Sequence, residues 1–220
     1  MDKKVLLVST SNNDMNGHPT GLWLEELSTP YKIFKDEGLT VEIASIKGGE
    51  VPIDKSSIPD GIPDEDKDVV ELLKDTQSIS DIKDKFFDAI VFAGGHGPLQ
   101  DFVGNEDVQK LILDTYKSDN IVAAICHGVA AFIDVMDTDG MHLINGKKVT
   151  SFSDSEEKSV KLEDLVPFAL ESKLKEQGAV YEKGDDFTPY IVIDGNIITG
   201  QNPQSSEALA KKVVDGLRDK

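Results

Sequence analysis

The sequence predicts an α/β fold in which a mostly parallel sheet is covered by helices on both faces. Short apolar runs rich in β-branched residues alternate with segments of helical periodicity, and these runs are continuous rather than interrupted by polar residues. A strand that is apolar on both sides needs burial on both sides, which a helix-covered parallel sheet provides. The length of 220 residues fits one domain over residues 1–220.

The first half of the chain supplies three predicted strands, at residues 5–8, 41–46 and 89–92. A helical pattern covers residues 22–37, where Pro30 is expected to kink the helix or start a new one and Gly38 to end it. Residues 48–61 are rich in turn formers and predict a loop. Residues 65–75 predict a short acidic helix.

The second half continues the same alternation of strands and helices. An amphipathic helix is predicted at residues 106–117 and a fully apolar strand at residues 121–125. Further strands are predicted at 148–152, 179–181, 190–193 and 197–199, and further helices at 166–177 and 205–217. Asp194, Gly195 and Asn196, between the last two strands, give a strong hairpin signal.

The chemically distinctive segments follow directly after two predicted strands. The segment AGGHG at 93–97 follows the strand at 89–92, and Cys126 with His127 follows the strand at 121–125. In open parallel sheets, ligands bind beyond the carboxyl ends of the strands. We therefore expect both segments at one edge of the sheet.

Composition excludes several classes of partner. With 23 basic and 41 acidic residues, the formal net charge is −18, so we expect no nucleic-acid partner and no binding to anionic membranes. No apolar stretch approaches the roughly 20 residues that span a bilayer. The N-terminal segment is typical of a strand rather than a secretory signal, and the single cysteine suits a reducing compartment. We therefore expect a cytoplasmic protein.

Cys126 is the first candidate for chemistry. It lies between an apolar strand and a predicted helix that begins near Gly128, a pattern typical of a nucleophile elbow, in which a strained turn presents the side chain above the sheet. The helix N-terminus would favour the thiolate over the thiol. A lone cysteine is often buried and inert instead. The local pattern alone supports both interpretations about equally.

Several nearby groups could assist a thiolate. His127 could exchange a proton with it, although adjacent side chains usually point apart. Gly94 and Gly95 allow close approach of the backbone and can direct N–H groups at an oxyanion, but a tight turn explains them equally well. Glutamate side chains are usually solvated. From the local pattern alone, a solvated side chain is also expected for Glu25, Glu26, Glu156 and Glu157.

The sequence contains no recognisable motif for a cofactor or a metal. The dinucleotide fingerprint G-x-G-x-x-G is absent. His18, His96 and His142 lack a metal-ligand spacing, and the chain has neither HExxH nor a second cysteine. We expect neither a cofactor nor a metal.

Taken together, these segments resemble the DJ-1/PfpI superfamily, and within it the Hsp31-like branch. The resemblance covers nearly the whole chain, and GGHG followed by CHG is its most specific part. The matching segments are TGLWLEELSTP (20–30), DAIVFAGGHGPLQDF (88–102), VAAICHGVAAF (122–132), VTSFSDSEE (149–157) and IITGQNPQSS (197–206). The resemblance implies a flavodoxin-like, doubly wound sheet of the class I glutamine amidotransferase type with a nucleophile elbow.

The resemblance also implies a role for each matching residue. Cys126 matches the family nucleophile, and His127 matches the histidine that follows it. Glu157 is similar to the acidic residue that orients this histidine, and Glu156 is the alternative by a shift of one residue. Glu26 matches the glutamate that contacts the cysteine and relays protons.

The substrate pocket and the activity follow from the same resemblance. Backbone N–H groups of Gly95 and His127 would form the oxyanion site, and Gly94 would belong to the same substrate-binding region. His96 and Trp23 would line the pocket. The implied activity is glutathione-independent conversion of 2-oxoaldehydes such as methylglyoxal to 2-hydroxy acids, with a small carbonyl compound as partner. The alternatives are an amidase or peptidase of the PfpI type, and a holdase chaperone or redox-sensing protein. A homodimer is a further expectation.

Overall fold

The computed structural model describes residues 3–219, and a seven-stranded sheet lies at its centre. The strands are β1 (Lys4–Ser9), β2 (Asp14–Met15), β3 (His18–Pro19), β4 (Thr40–Ser45), β5 (Gln77–Ser78), β6 (Ala89–Phe92), β7 (Ile121–Ile125), β8 (Lys148–Val149), β9 (Val180–Tyr181), β10 (Ile191–Asp194) and β11 (Ile197–Gly200). The α-helices are α1 (Glu25–Asp36), α2 (Lys67–Leu72), α3 (Ile79–Ile82), α4 (Pro98–Asp101), α5 (Glu106–Lys117), α6 (Asp154–Ser159), α7 (Leu170–Glu176) and α8 (Ser206–Arg218). Short 3₁₀ segments lie at Lys55–Ser57, Asp64–Asp66, Cys126–Phe132 and Pro203–Ser205. Within residues 3–219, no helix has the length and apolar character needed to cross a membrane.

The strand order explains where a ligand can bind. The sheet has the order β10-β11-β7-β6-β1-β4-β5, and every neighbouring pair is parallel except β10 with β11. If the five strands β4-β1-β6-β7-β11 are renumbered by their order along the chain, they read 2-1-3-4-5, which is the flavodoxin-like order. In this order ligands bind where the winding direction of the sheet switches, which here is between β1 and β6. The predicted fold class is confirmed.

Strand β1 shows why helices cover both faces of the sheet. Leu6 and Val8 pack in one core with residues of α3 and α5, whereas Val5 and Leu7 pack in a second core with residues of α1 and α8. All four side chains are fully buried. The continuous apolar run at residues 5–8 therefore contributes side chains to the cores on both faces of the sheet, as its pattern predicts.

Helix α1 runs through Pro30 without a break, so the expectation that a new helix starts there is wrong. A proline inside a helix removes the hydrogen bond to the carbonyl four residues earlier, at a cost of about 3 kcal/mol. Leu27, Pro30 and Phe34 are all buried on this helix, and their packing offsets the lost bond. Gly38 follows the helix with a φ of 73°, as expected for a helix terminator.

The segment that carries Glu156 and Glu157 is a short helix, α6, and not the charged loop that its composition suggests. The Ser153 side chain accepts a hydrogen bond from the Glu156 N–H, and the Glu156 carboxylate accepts one from the Ser153 N–H. This reciprocal capping box has a sequence signature, serine followed three residues later by glutamate, that could have identified the helix. Nearby, the predicted strand at 148–152 pairs only at β8, and the predicted helix at 166–177 begins at Leu170.

Candidate active site

Cys126 lies at the carboxyl end of β7 in a left-handed backbone conformation. Its φ is 55°, uncommon for a residue other than glycine, and the chain turns sharply there into the 3₁₀ segment Cys126–Phe132. Gly128 allows this segment to approach β6 closely, because a Cβ at that position would lie 2.4 Å from the carbonyl oxygen of Phe92. The turn has the geometry of a nucleophile elbow.

The glycines after β6 bring a second stretch of backbone against the cysteine. A Cβ on Gly94 would lie 2.4 Å from Glu26 Oε2 and 3.0 Å from Cys126 Cβ. Gly95 has a φ of 91°, and a Cβ on it would lie 2.1 Å from the carbonyl oxygen of Gly21. Only glycine fits at these two positions.

This packing predicts a large loss of stability for Gly95→Ala. We expect the free energy of unfolding to fall by about 3 kcal/mol or more, because the new methyl group meets backbone atoms that cannot move independently. Gly104→Ala is the matched control, since Gly104 has a φ of 70° but no atom within 4 Å of its Cβ position. The control should lose only about 1–2 kcal/mol from the left-handed conformation. Urea unfolding measures both losses, and equal values would contradict the predicted clash.

A single carboxylate, that of Glu157, holds two imidazole rings. Its Oε2 lies 2.6 Å from His127 Nε2, and its Oε1 lies 2.7 Å from His96 Nε2. Burial raises the pKa of Glu157, but the attraction of His127 and the hydrogen bonds of both rings outweigh it and hold that pKa well below its ordinary value. Glu157 is therefore ionised and accepts a hydrogen bond from the Nε2–H of each ring.

The bond to Glu157 directs the other nitrogen of His127 at the cysteine. His127 Nδ1 lies 3.4 Å from Cys126 Sγ. With its proton on Nε2, the neutral ring leaves Nδ1 free to accept the thiol proton. Burial, and then the nearby His96, lower the pKa of His127, so the ring is neutral at rest.

Glu156 does not contact either histidine, although it adjoins Glu157. Its Oε2 accepts hydrogen bonds from the backbone and hydroxyl of Ser153 at 2.9 and 2.8 Å. Its Oε1 accepts from the Phe187 N–H and the Asn202 side-chain amide, each at 2.8 Å. These four bonds give Glu156 a structural role in fixing the loops around α6.

Glu26 is buried on α1 and carries a proton at neutral pH. Burial raises its pKa to about 8, against the opposing effects of hydrogen bonds with Cys126 and the Gly94 N–H. The Gly94 N–H donates to Glu26 Oε2 at 2.8 Å. The expectation that Gly94 contributes to an oxyanion site is therefore wrong, because the Glu26 carboxyl group already accepts its N–H.

Burial opposes the ionisation expected of Cys126, although its side chain lines the cavity described below. Cys126 is only 4% exposed, and burial raises the pKa of its thiol well above its ordinary value. Glu26 raises this pKa further, and the His127 N–H lowers it only in part. A helix N-terminus is worth about 0.3–1 kcal/mol, which is too little to offset burial. These effects favour a resting thiol, which needs a base to become a nucleophile.

The raised pKa of Glu26 predicts that stability falls as the pH rises. Glu26 retains a proton in the fold that the unfolded chain releases above its ordinary pKa of 4.5. Its contribution to stability is therefore fully present below pH 4.5 and is lost as the pH rises through about 8. The glutamine side chain of the Glu26→Gln variant does not titrate. As the pH rises over this range, the free energy of unfolding of the variant should therefore increase relative to that of the wild type by at most about 1.4 kcal/mol per pH unit. Urea unfolding across the range measures the difference, and a constant difference would contradict the assignment.

A cavity of about 410 Å³ opens above Cys126. The structure brings Trp23, Gly95, His96 and His127 to its lining, together with residues that the sequence did not indicate as pocket residues. These further residues are His18, Asp54, Ser56, Phe152, Val160, Leu162, Phe187, Pro203 and Gln204. They come from segments that are far apart in the sequence, so no local spacing could have identified them as one site.

His96, His127 and Glu157 are also close enough to hold a metal ion, with ligand atoms within 4.8 Å of one another. A cation there would displace the Nε2 protons from Glu157 and remove the tautomer that directs His127 Nδ1 at the cysteine. The expectation that the protein binds no metal remains a prediction.

Several known proteins are similar to this chain in sequence and in fold. The chain is 28% identical to the glutathione-independent glyoxalase HSP31 of Saccharomyces cerevisiae, over 99% of both chains. Among solved structures it resembles the 24 kDa Rapid Encystment Protein of Francisella tularensis, with 42% identity, a TM-score of 0.93, and coverage of 98% of this chain and 99% of that one. It also resembles glyoxalase III of Candida albicans, with 32% identity, a TM-score of 0.87, and coverage of 97% and 96%. The DJ-1/PfpI family model matches residues 20–216. This protein belongs to the DJ-1/PfpI family.

Proposed function

We propose that the protein converts 2-oxoaldehydes such as methylglyoxal to 2-hydroxy acids such as lactate, without glutathione. The observation that carries this proposal is the Cys126 thiol 3.4 Å from the free nitrogen of His127, beside a cavity that suits a small molecule. The similarity to HSP31 and to glyoxalase III supports the same reaction class. The thiol of the protein itself would replace the thiol that glutathione supplies to other glyoxalases.

In the first step, Cys126 transfers its proton to His127 Nδ1 while the sulfur attacks the aldehyde carbon, and His127 then gives this proton to the former aldehyde oxygen, which completes a neutral hemithioacetal. Ionised Glu157 stabilises the imidazolium that results, because it holds the opposite ring nitrogen at 2.6 Å. The backbone N–H of Gly95 would stabilise the charge on the substrate oxygen, together with the His127 N–H once it is released from the cysteine that accepts it at rest.

In the second step, the hydrogen on the former aldehyde carbon leaves as a proton, and a proton is added to the neighbouring carbonyl carbon through an enediol. The product is a thioester on Cys126, so one substrate carbon is oxidised and its neighbour is reduced. His127, which is neutral again after the first step, can accept this proton and return it to the neighbouring carbon, whereas Glu26 already carries a proton and can act only as a donor. Water then hydrolyses the thioester, which releases the 2-hydroxy acid and restores the thiol. Because the redox change is internal, the reaction balances without a cofactor.

The test of this function is direct. Purified protein incubated with methylglyoxal and no glutathione should release one lactate for each methylglyoxal consumed. Consumption of methylglyoxal without lactate would indicate only covalent modification of surface groups and would contradict the proposal.

The alternative activities have weaker support. A peptidase binds an extended chain, whereas a cavity of about 410 Å³ suits a small molecule, so an amide substrate would have to be small. A redox sensor needs an exposed, low-pKa cysteine, and Cys126 is buried with a raised pKa. Chaperone activity, a cytoplasmic location and a homodimer remain predictions.

A further inference from the structure

The cavity beside Cys126 is much larger than methylglyoxal needs. Cavities of about 300–1,000 Å³ generally hold drug-sized ligands, and this cavity measures about 410 Å³. A three-carbon substrate bound to the sulfur would leave most of that space to water. The unfilled part is therefore available to a larger group on the substrate carbonyl.

One wall of the cavity is apolar and begins at the catalytic histidine. The ring of Phe152 lies 4.7 Å from that of His127, and Phe187 lies edge-on to Phe152 at 6.2 Å. Val160 and Leu162 line the same cavity. A group attached to a carbonyl bound at Cys126 would therefore be next to these side chains.

Phe187 is held in this wall in a conformation that its own side chain disfavours. Its φ is 56°, which is unusual for a bulky residue, and the residue is 39% exposed although it lines the cavity. Its N–H donates to Glu156 Oε1 at 2.8 Å, which ties the loop to the helix that carries Glu157. Its ring is exposed apolar surface in the cavity lining, which an apolar group of a ligand can cover.

The lining does not favour anions. Of the lining residues within 3–219, none is Lys or Arg, whereas Asp54 contributes a carboxyl group. The net charge of −18 acts in the same direction. Phosphate-bearing or carboxylate-bearing substrates would meet no opposite charge in this site.

We propose that the site selects neutral 2-oxoaldehydes that carry a bulky apolar group, with Phe152 and Phe187 as the residues that determine specificity. This inference rests on the glyoxalase function proposed above and names the substrate class of that same site. Methylglyoxal is then a minimal substrate that uses the sulfur but little of the apolar wall.

The test is a homologous series of 2-oxoaldehydes in which the methyl group is lengthened to ethyl, propyl, butyl and pentyl. Their carbonyls have similar reactivity, so differences in kcat/KM report binding of the chain. We expect kcat/KM to rise by roughly two- to fourfold per added CH₂ until the wall is covered. A flat or falling series in an enzyme that converts methylglyoxal would overturn the inference and leave the proposed function intact. No 2-hydroxy acid from any member would overturn both.

A matched pair of variants locates the effect. Phe187→Asn removes the ring and keeps a residue that tolerates a positive φ, so it should reduce the gain from methyl to pentyl by roughly tenfold. Phe86→Asn is the control, because Phe86 is 63% exposed and does not line this cavity. It should leave the series unchanged. An unchanged series in Phe187→Asn would overturn the role of Phe187.

Charge gives an independent readout. A 2-oxoaldehyde of the same length as the pentyl compound but ending in a carboxylate should react at least about tenfold more slowly. Val160→Lys adds a cation at the cavity mouth, where Val160 is 41% exposed, and should recover part of that rate. Equal rates for the neutral and anionic compounds in the wild type would contradict selection for neutral substrates.

Discussion

Cys126→Ala is expected to reduce lactate formation from methylglyoxal by at least about 10³-fold, because it removes the atom that forms the covalent intermediate. The chain has one cysteine, so no other thiol can replace it. His127 and Glu157 would remain in place but would have no nucleophile to activate. Coupled measurement of lactate over a range of methylglyoxal concentrations gives kcat and KM for both proteins.

The fold of this variant should persist, which makes the loss of activity interpretable. Alanine and cysteine both have a Cβ, so the substitution adds no new cost at the φ of 55°. The lost sulfur leaves a small void, for which a loss of about 1 kcal/mol is expected. Urea unfolding checks this expectation. A folded Cys126→Ala protein that still makes lactate would remove Cys126 from the mechanism.

Local sequence patterns predicted those strands and helices whose pattern of apolar residues depends only on how that one element is buried. The apolar runs of β1, β6 and β7 need two covered faces wherever they lie, so their pattern already implies the layers of the fold. Helix α5 matches its predicted bounds because Asn105 caps it and its apolar stripe faces one core. Helix α1 did not break at Pro30, because buried neighbours on the same helix compensate for one lost hydrogen bond.

The site was less predictable because its chemistry depends on tertiary packing. Glu26 could be identified only by resemblance, since nothing in its local sequence shows that it is fully buried beside the sulfur. The buried Glu26 carboxyl group also raises the pKa of the Cys126 thiol and accepts the hydrogen bond of the Gly94 N–H. Phe187 gave no signal, since its place at the cavity depends on hydrogen bonding to Glu156.

Glu157→Gln is expected to lower kcat/KM by about 10³- to 10⁴-fold while changing the fold little. An amide oxygen can accept a hydrogen bond from one imidazole, but the NH₂ group must then face the other ring nitrogen, which can no longer carry its own proton. Either His127 or His96 changes tautomer, and a proton on His127 Nδ1 would block transfer from Cys126. The amide also lacks the charge that stabilises the imidazolium formed during attack.

Glu156→Gln provides the matched control on the adjacent residue of the same helix. Its carboxylate accepts four hydrogen bonds, two at each oxygen. In the glutamine variant an NH₂ group replaces one of these oxygens, so its N–H groups would face the N–H or O–H donors that now bind there. We therefore expect a loss of stability of about 1–3 kcal/mol, with kcat/KM of the folded protein reduced by less than about tenfold because His127 keeps its carboxylate. Unfolding and kinetics measured on both variants separate structural support from catalysis. If Glu156→Gln lost as much activity as Glu157→Gln while remaining folded, the carboxylate that orients His127 would have been assigned to the wrong residue.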